Sequence, residues 1–465
     1  MSRSWIVGGA LRDELLGREV TDIDIAVEGD PEAAARECGA EVRGPVFRLS
    51  EAFGAWRVVD RRGGRIYDFA PLQGATIEED LRKRDFTVNA MAREIDDGDG
   101  LKSVPRRVEE GPGVAGGEII DPLGGRSDLQ SRTLRVIGPE AYESDPLRPL
   151  RLARFAAELG FQPDAETERL TAEAAPRVTE ASGERIFAEL RRLVLARSAV
   201  QGLALADRLG LLHAVLPELV DLHNVEQSHY HHKDVYGHTL EVLERLIELE
   251  GEVEGELREV LDEPLADELT RGQALRFGAL LHDIGKPATH DVREDGRVTF
   301  MGHDRLGEEM VRGVCRRLRT SERLSGFLEG ITRHHLLLGF LVHERPLDRR
   351  AIYRYLKRTS PVEVEVTLLS CADRLATRGK NADRAIDAHM ELAKELMPAA
   401  LEWRRDGPPR LPLRGDELAE ELGMEPGPEL GRMLAELEEA AYAGEVASRA
   451  EAVEVARRLR ENAQR

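Results

Sequence analysis

A glycine pair opening a short helix, followed closely by alternating acids, constrains this chain most tightly. Val7-Gly8-Gly9-Ala10-Leu11-Arg12-Asp13 precedes Asp22-Ile23-Asp24-Ile25-Ala26-Val27. The second stretch has the period of a strand, which puts Asp22 and Asp24 on one face and Ile23, Ile25 and Val27 on the other. The first reads as a strand end at residues 5–7, a glycine turn, and a helix over residues 10–16 closed by Gly17. Gly8 and Gly9 let backbone come close to a ligand, and the helix start offers N–H groups to a phosphate, with Arg12 in its first turn. Two carboxylates one residue apart, facing such a cradle, are candidates for holding two Mg²⁺ ions in phosphoryl or nucleotidyl transfer. Each half alone has a plain alternative, a solvated strand edge for the acids and a simple turn for the glycines.

Together, at this spacing, they resemble the signature of the tRNA nucleotidyltransferase and poly(A) polymerase family. The resemblance implies an α/β N-terminal nucleotidyltransferase domain with a small mixed sheet and helices. An all-α C-terminal region follows. The divisions expected are 1–140 for the nucleotidyltransferase domain, 141–225 for a helical neck, 226–380 for a metal-binding helical domain and 381–465 for a helical tail. Strand-like runs cover residues 5–7, 23–27, 55–59, 66–69 and 134–137. Asp68, in Arg65-Ile66-Tyr67-Asp68-Phe69, is a candidate third acid of the metal site, or simply an acid near a strand end.

The stretch Arg82-Lys83-Arg84-Asp85-Phe86-Thr87-Val88-Asn89-Ala90-Met91 reads as a basic cluster leading into an apolar helix. It is very similar to the family's Arg-Asp-Phe-Thr-x-Asn-Ala motif, which implies Arg84 at the triphosphate and Asp85 and Asn89 ordering the sugar side. Residues 96–117 are glycine-rich and polar, an exposed loop. Asp121-Pro122-Leu123-Gly124-Gly125-Arg126-Ser127-Asp128-Leu129 matches a further family motif, read as a turn with a hinge role. From Tyr142 no strand alternation is visible until past residue 290.

Ser144-Asp145-Pro146-Leu147-Arg148 starts a helix, with Asp145 as its expected cap and Pro146 in its first position. Arg148, Arg151 and Arg154 recur every three residues and so share a broad face, which would be only a basic surface stripe were it isolated. The family has Glu-Asp-x-x-Arg here, whose Asp and Arg template the incoming base. Ser144 replaces the Glu, while Asp145 and Arg148 are intact. A carboxylate accepts from the exocyclic amine of cytosine or adenine, and arginine donates to the adjacent ring acceptor. Arg151 and Arg154 are expected to face phosphates. Glu184-Arg185-Ile186 and Leu209-Gly210-Leu211 match later family stretches.

A second site gathers around His229, His231, His232 and His238, followed by Leu281-His282-Asp283-Ile284-Gly285-Lys286. A lone histidine on an apolar helix is usually core, but an adjacent His-Asp inside one needs a cation or strong hydrogen bonds. The pattern resembles the HD superfamily, which implies His238, His282, Asp283 and Asp373 as ligands of a divalent metal. His303, His334 and His335 are candidates for a second metal position. Imidazole and carboxylate suit Mn²⁺, Ni²⁺, Fe²⁺ or Zn²⁺. His231 and His232 otherwise read as loop residues. Residues 381–465 carry amphipathic helical patterns broken near 407–412 and 426–428, with no visible chemistry.

The three cysteines (Cys38, Cys315, Cys371) are scattered, which argues against a disulfide framework or a thiolate zinc site. No apolar run is long enough to span a membrane, so a cytoplasmic location without membrane contact is expected. The net charge of −21 argues against a simple basic nucleic-acid binder, but the positive charge is almost all arginine, which pairs phosphate bidentately. The expected function is C or CCA addition to the 3′ end of tRNA from CTP and ATP, with no DNA partner. CC addition is favoured, because only ten residues separate Phe69 from Asp80, too few for the flexible loop of CCA-adding relatives. The rivals are a poly(A) polymerase, a metal phosphohydrolase of nucleotides or RNA ends, and a non-catalytic RNA-binding module.

Overall fold

The computed structural model describes residues 3–51, 54–95, 118–227, 233–377 and 382–463. Residues 96–117, read from the sequence as a loop, and His229, His231 and His232 lie outside the described residues. The chain divides into two compact units, residues 1–215 and 216–465.

The first unit is built on a seven-stranded mixed sheet. Its strands are β1 (Ser4–Val7), β2 (Asp22–Val27), β3 (Val46–Ser50), β4 (Ala55–Asp60), β5 (Arg65–Pro71), β6 (Ala92–Glu94) and β7 (Ile119–Ile120), in the order β3-β4-β5-β2-β1-β6-β7. Within this sheet, among the described residues, only β2 and β5 run parallel. The alternation expected of β2 is realised: Ile23 and Ile25 are buried while Asp22 and Asp24 face outward. Helix α1 (Gly9–Leu15) follows β1, one residue earlier than expected, and Gly17 turns the chain at φ 69°. Helix α2 (Pro31–Val42) packs on β4 and β5. Helix α3 (Ile77–Leu81) comes before the basic cluster, not after it. The apolar run beyond the cluster forms a 3₁₀ turn, Thr87–Asn89, and then β6, because Phe86, Val88, Ala90 and Met91 all fill the core.

Three further expectations are corrected. Of residues 134–137, only Leu134 joins a strand, Thr133–Leu134, which pairs with Gln162–Pro163 outside the main sheet. Helix α4 (Gly125–Ser131) follows Asp121, whose carboxylate accepts from Gly125 and Arg126 N–H, so that motif opens a helix. Helix α5 (Pro139–Ser144) ends at Ser144, and α6 (Arg148–Leu159) begins three residues beyond Asp145. Asp145 is therefore not the cap of α6; its Oδ1 closes a turn by accepting from Leu147 N–H at 3.1 Å.

The second unit is mostly helical, with two-stranded ribbons at Pro264–Ala266/Leu269–Thr270 and Asp291–Val292/Val298–Thr299. The helix Val235–Glu252 is capped by Asp234, whose carboxylate accepts from Gly237 N–H. The helices Gly415–Leu422, Pro428–Ala443 and Arg449–Ala463 enclose their own apolar core around Leu418, Leu437 and Ala452. No helix among the described residues is long and apolar enough to cross a membrane, and the three cysteines are free and buried.

Candidate active site and histidine cluster

A cleft of about 430 Å³ opens in the first unit where the Gly8 turn, α1, β2, the Lys83–Asn89 segment and α6 meet. Gly8, Gly9, Arg12, Asp22, Asp24, Arg84, Asp85, Asn89, Arg148, Arg151 and Arg154 all line it. Residues spread over the first third of the chain thus converge as expected.

Gly8 takes φ 71°, and a Cβ there would sit 2.9 Å from Arg84 Nη1 and 3.7 Å from Asp24 Oδ2. The glycine keeps open the space between an arginine and an acid. Burial in the cleft pushes the Asp24 carboxyl up, Arg84 opposes that, and the carboxylates of Asp68 and Asp22 raise it further. Acids crowded in this way suit a hard divalent cation with oxygen ligands.

The basic residues are tightly ordered. Arg12 is buried, donates from Nη1 to Asn89 Oδ1 at 2.7 Å, and grips both oxygens of Asp13. Asn89 Nδ2 donates to Asp85 Oδ1, and Asp85 Oδ2 lies 2.7 Å from Arg151 Nη2. Burial would raise Asp85, but Arg151, Asn89 and the Phe86 N–H outweigh it and hold the carboxyl low. Asp85 is thus an ionised anchor that fixes Asn89, which in turn aims Arg12. Arg84 is held by Asp80 Oδ2 at 3.0 Å. Arg154 is no surface group: it is buried, pairs with Glu189 at 2.7 Å and lies over the Phe155 ring, and burial lowers its pKa to about 10 despite Glu189 and Glu158.

Asp68 and Asp145 are placed differently. Asp68 faces Asp24 in register, but both its oxygens accept from Arg57. Asp145 lines an adjoining cavity that shares Gln73, Lys83 and Arg148 with the cleft, and its Oδ2 accepts from Arg185 at 2.8 Å. Arg148 Nη1 donates to Arg84 O, Ala141 O and Ser144 Oγ, and Nη2 to Lys83 O, all at 2.9–3.1 Å. Asp80, Arg57, Arg185 and Asp13 were not singled out from the sequence. Asp80 alone carried a local signal, its i,i+4 spacing to Arg84.

In the second unit two triads converge, His238, His282 and Asp283, and Asp283, His303 and His335. Asp283 belongs to both. His282, His303 and His335 each donate Nδ1–H to a backbone carbonyl, of Ala279, Phe300 and Thr332, at 2.7–2.8 Å. That turns each Nε2 inward, as metal-binding histidines require. His238 Nε2 donates to Asp373 at 2.9 Å. Lys286, missed from the sequence although it lies one helical turn after Asp283, sits 2.6 Å from its Oδ2. His334 is not in the cluster; it ends its helix one residue before His335 and so points around the axis. Burial is the largest influence on Asp283 and would raise it, but His282 and Lys286 hold it well below the carboxylate range; burial likewise opposes protonation of His282, yet Asp283 keeps it raised.

Comparison with known proteins finds three family profiles in order along the chain. They are "Poly A polymerase head domain" over residues 4–135, "Probable RNA and SrmB- binding site of polymerase A" over 160–222, and "HD domain" over 235–378. An A-adding tRNA nucleotidyltransferase of Deinococcus radiodurans is 35% identical, covering 96% of this chain and 93% of its own. A CC-adding tRNA nucleotidyltransferase of Thermus thermophilus is 34% identical, with 96% and 91% covered. Among solved structures, a CCA-adding enzyme with ATP aligns at TM-score 0.64 over 97% of this chain and 90% of that one, at 20% identity. The Thermotoga maritima CCA-adding enzyme complexed with tRNA aligns at 0.59, with 98% and 90% covered, also at 20% identity. At that identity the structures establish the shared fold.

Proposed function

Because this chain belongs to the tRNA nucleotidyltransferase and poly(A) polymerase family, we propose that it extends the 3′ end of tRNA with cytidine from CTP. The observation that carries this is the convergence of Asp22 and Asp24 with Arg12 and Arg84 on one cleft beside the Gly8 turn. Asp22 and Asp24 would hold Mg²⁺, which when bound supplies charge neutralisation to the attacking 3′ oxygen and the departing pyrophosphate. Arg12 and Arg84 bind the triphosphate, and their orientation is fixed in advance by Asn89 and Asp80, so little reorganisation accompanies binding. Asp85 and Arg151 secure that arrangement from behind.

Asp145 and Arg148 read the base. Arg148 spends Nη1 and one Nη2 hydrogen on fixed acceptors, which leaves Nε–H and the other Nη2–H as a two-donor edge. Cytosine offers two adjacent acceptors, N3 and O2, to such an edge, whereas adenine offers N1 alone. Residues 72–76, which link β5 to α3, are also short and tied down: Gln73 N–H donates to Asp80 and Ala75 N–H to Glu79. Both features support CC addition over CCA addition.

The test is incubation with Mg²⁺, tRNA lacking its 3′ end, and each labelled NTP in turn. Incorporation of C alone is expected. C followed by A would make it a CCA-adding enzyme, A alone an A-adding one, and a long A tail a poly(A) polymerase. A second reading, favoured by the inward-turned Nε2 atoms around Asp283, is that the histidine cluster holds a divalent transition ion and hydrolyses phosphate esters. Phosphate release with Ni²⁺ or Mn²⁺ that Asp283→Ala removes would establish it.

A further inference from the structure

Arg57 on β4 stands directly across from Asp68 on β5, and Asp68 directly across from Asp24 on β2. Opposed residues of a sheet project to the same face. The face that bears the two acids of the cleft therefore carries one row of an arginine, an aspartate and Asp24. Asp22 lies two residues along β2 on that face, opposite Ile66. Three carboxylates crowd one patch, but one is treated differently. Arg57 Nε donates to Asp68 Oδ1 and Nη2 to Oδ2, both at 2.7 Å. Both side chains are partly shielded, 32% and 24% exposed. No such fork reaches Asp22 or Asp24 among the described residues.

We propose that Arg57 is a resident counter-cation that withholds Asp68 from the divalent ion. It leaves a two-carboxylate site, which binds the ion weakly until a triphosphate brings further oxygens. This rests on the reading of Asp22 and Asp24 as the metal-holding pair. Asp68 turning to an ion would break or share two charge-assisted hydrogen bonds. Freed, it adds a third anionic oxygen next to Asp24, and the affinity of oxygen-ligand sites rises with the number of charged ligands. Arg57 is thus a positioning residue that sets how strongly the empty cleft holds its ion.

The test titrates Mg²⁺ into the full chain without nucleotide, followed by calorimetry; the histidine-rich cluster disfavours this oxygen-seeking ion. Arg57→Gln should tighten Mg²⁺ binding about tenfold, as one more charged ligand would. Arg57→Gln combined with Asp68→Asn should return to the wild-type affinity. Arg57→Lys, which keeps a cation but cannot fill both oxygens, should fall between. Affinity that is unchanged or weaker in Arg57→Gln overturns the proposal, and so does unchanged affinity in Arg57→Lys if Arg57→Gln does not fold. Asp22→Asn separates the two levels: Mg²⁺ binding that survives it means that these acids are not the ligands, and the underlying reading fails instead.

Discussion

Gly8 shows how much a single residue decides here. Its φ of 71° with ψ of −130° is a conformation L side chains rarely adopt, and its missing Cβ is the gap between Arg84 and Asp24. Gly8→Ala should strain the turn by about 1–3 kcal/mol and displace the Arg84 guanidinium. The expected result is a loss of roughly tenfold or more in kcat/KM for CTP, since about 1.4 kcal/mol is tenfold, read by steady-state kinetics. In the other unit, burial lowers His335 to about 3 and His334 and His389 to about 4. A histidine depressed in the folded state stays neutral there while the unfolded chain takes up a proton below 6.5. Stability is therefore lost as pH falls from 6.5 towards the folded values, by up to about tenfold in the folding equilibrium per group and pH unit. Urea unfolding at pH 7, 6 and 5 should show a falling midpoint. The raised His282 acts in the opposite sense but is one group against three.

At the scale of elements, α1 is stapled to the chain around β6. Gly8 N–H donates to Met91 O, Arg12 to Asn89, and Arg93 grips both oxygens of Glu14 at 2.6 and 2.8 Å. The Glu14–Arg93 side chains are 5% and 1% exposed, so removing one partner strands a buried charge. Glu14→Gln should cost about 3 kcal/mol, the usual result of breaking a buried pair, seen as a lower urea midpoint. Because α1 carries Arg12, KM for CTP should rise with it. The strands that sequence reading missed were short or at an edge. β3 is an edge strand with Phe47, Arg48 and Leu49 all exposed, so it shows no alternation of burial. β6 hides in an apolar run that reads equally well as helix, because every side of it is covered.

The molecule carries its two sites in separate units, so they should fail separately. Asp22→Ala should abolish incorporation of labelled CTP into tRNA, while Asp283→Ala should leave it intact and remove only metal-dependent phosphate release. The sequence by itself determined the acids of β2 and the glycine turn, because each is a local pattern whose period or spacing states its geometry; it also marked the His-Asp pair, although that pair lies at the end of its helix, His282 capping Arg271–Leu281, and not inside it. It also located most of the cleft, since residues from Gly8 to Arg154 do line one cavity. What only tertiary structure decided was who holds whom: Asp68 given to Arg57, Asp145 to Arg185, Asp85 to Asn89 and Arg151, and His335 rather than His334 to the cluster. Asp85 and Asn89 are only four residues apart, but the other pairings depend on the register of β4 against β5, join segments distant in sequence, or turn on one step of helix rotation. A carboxylate's partner is set by which cation the folded backbone brings within hydrogen-bonding distance, and no local period encodes that.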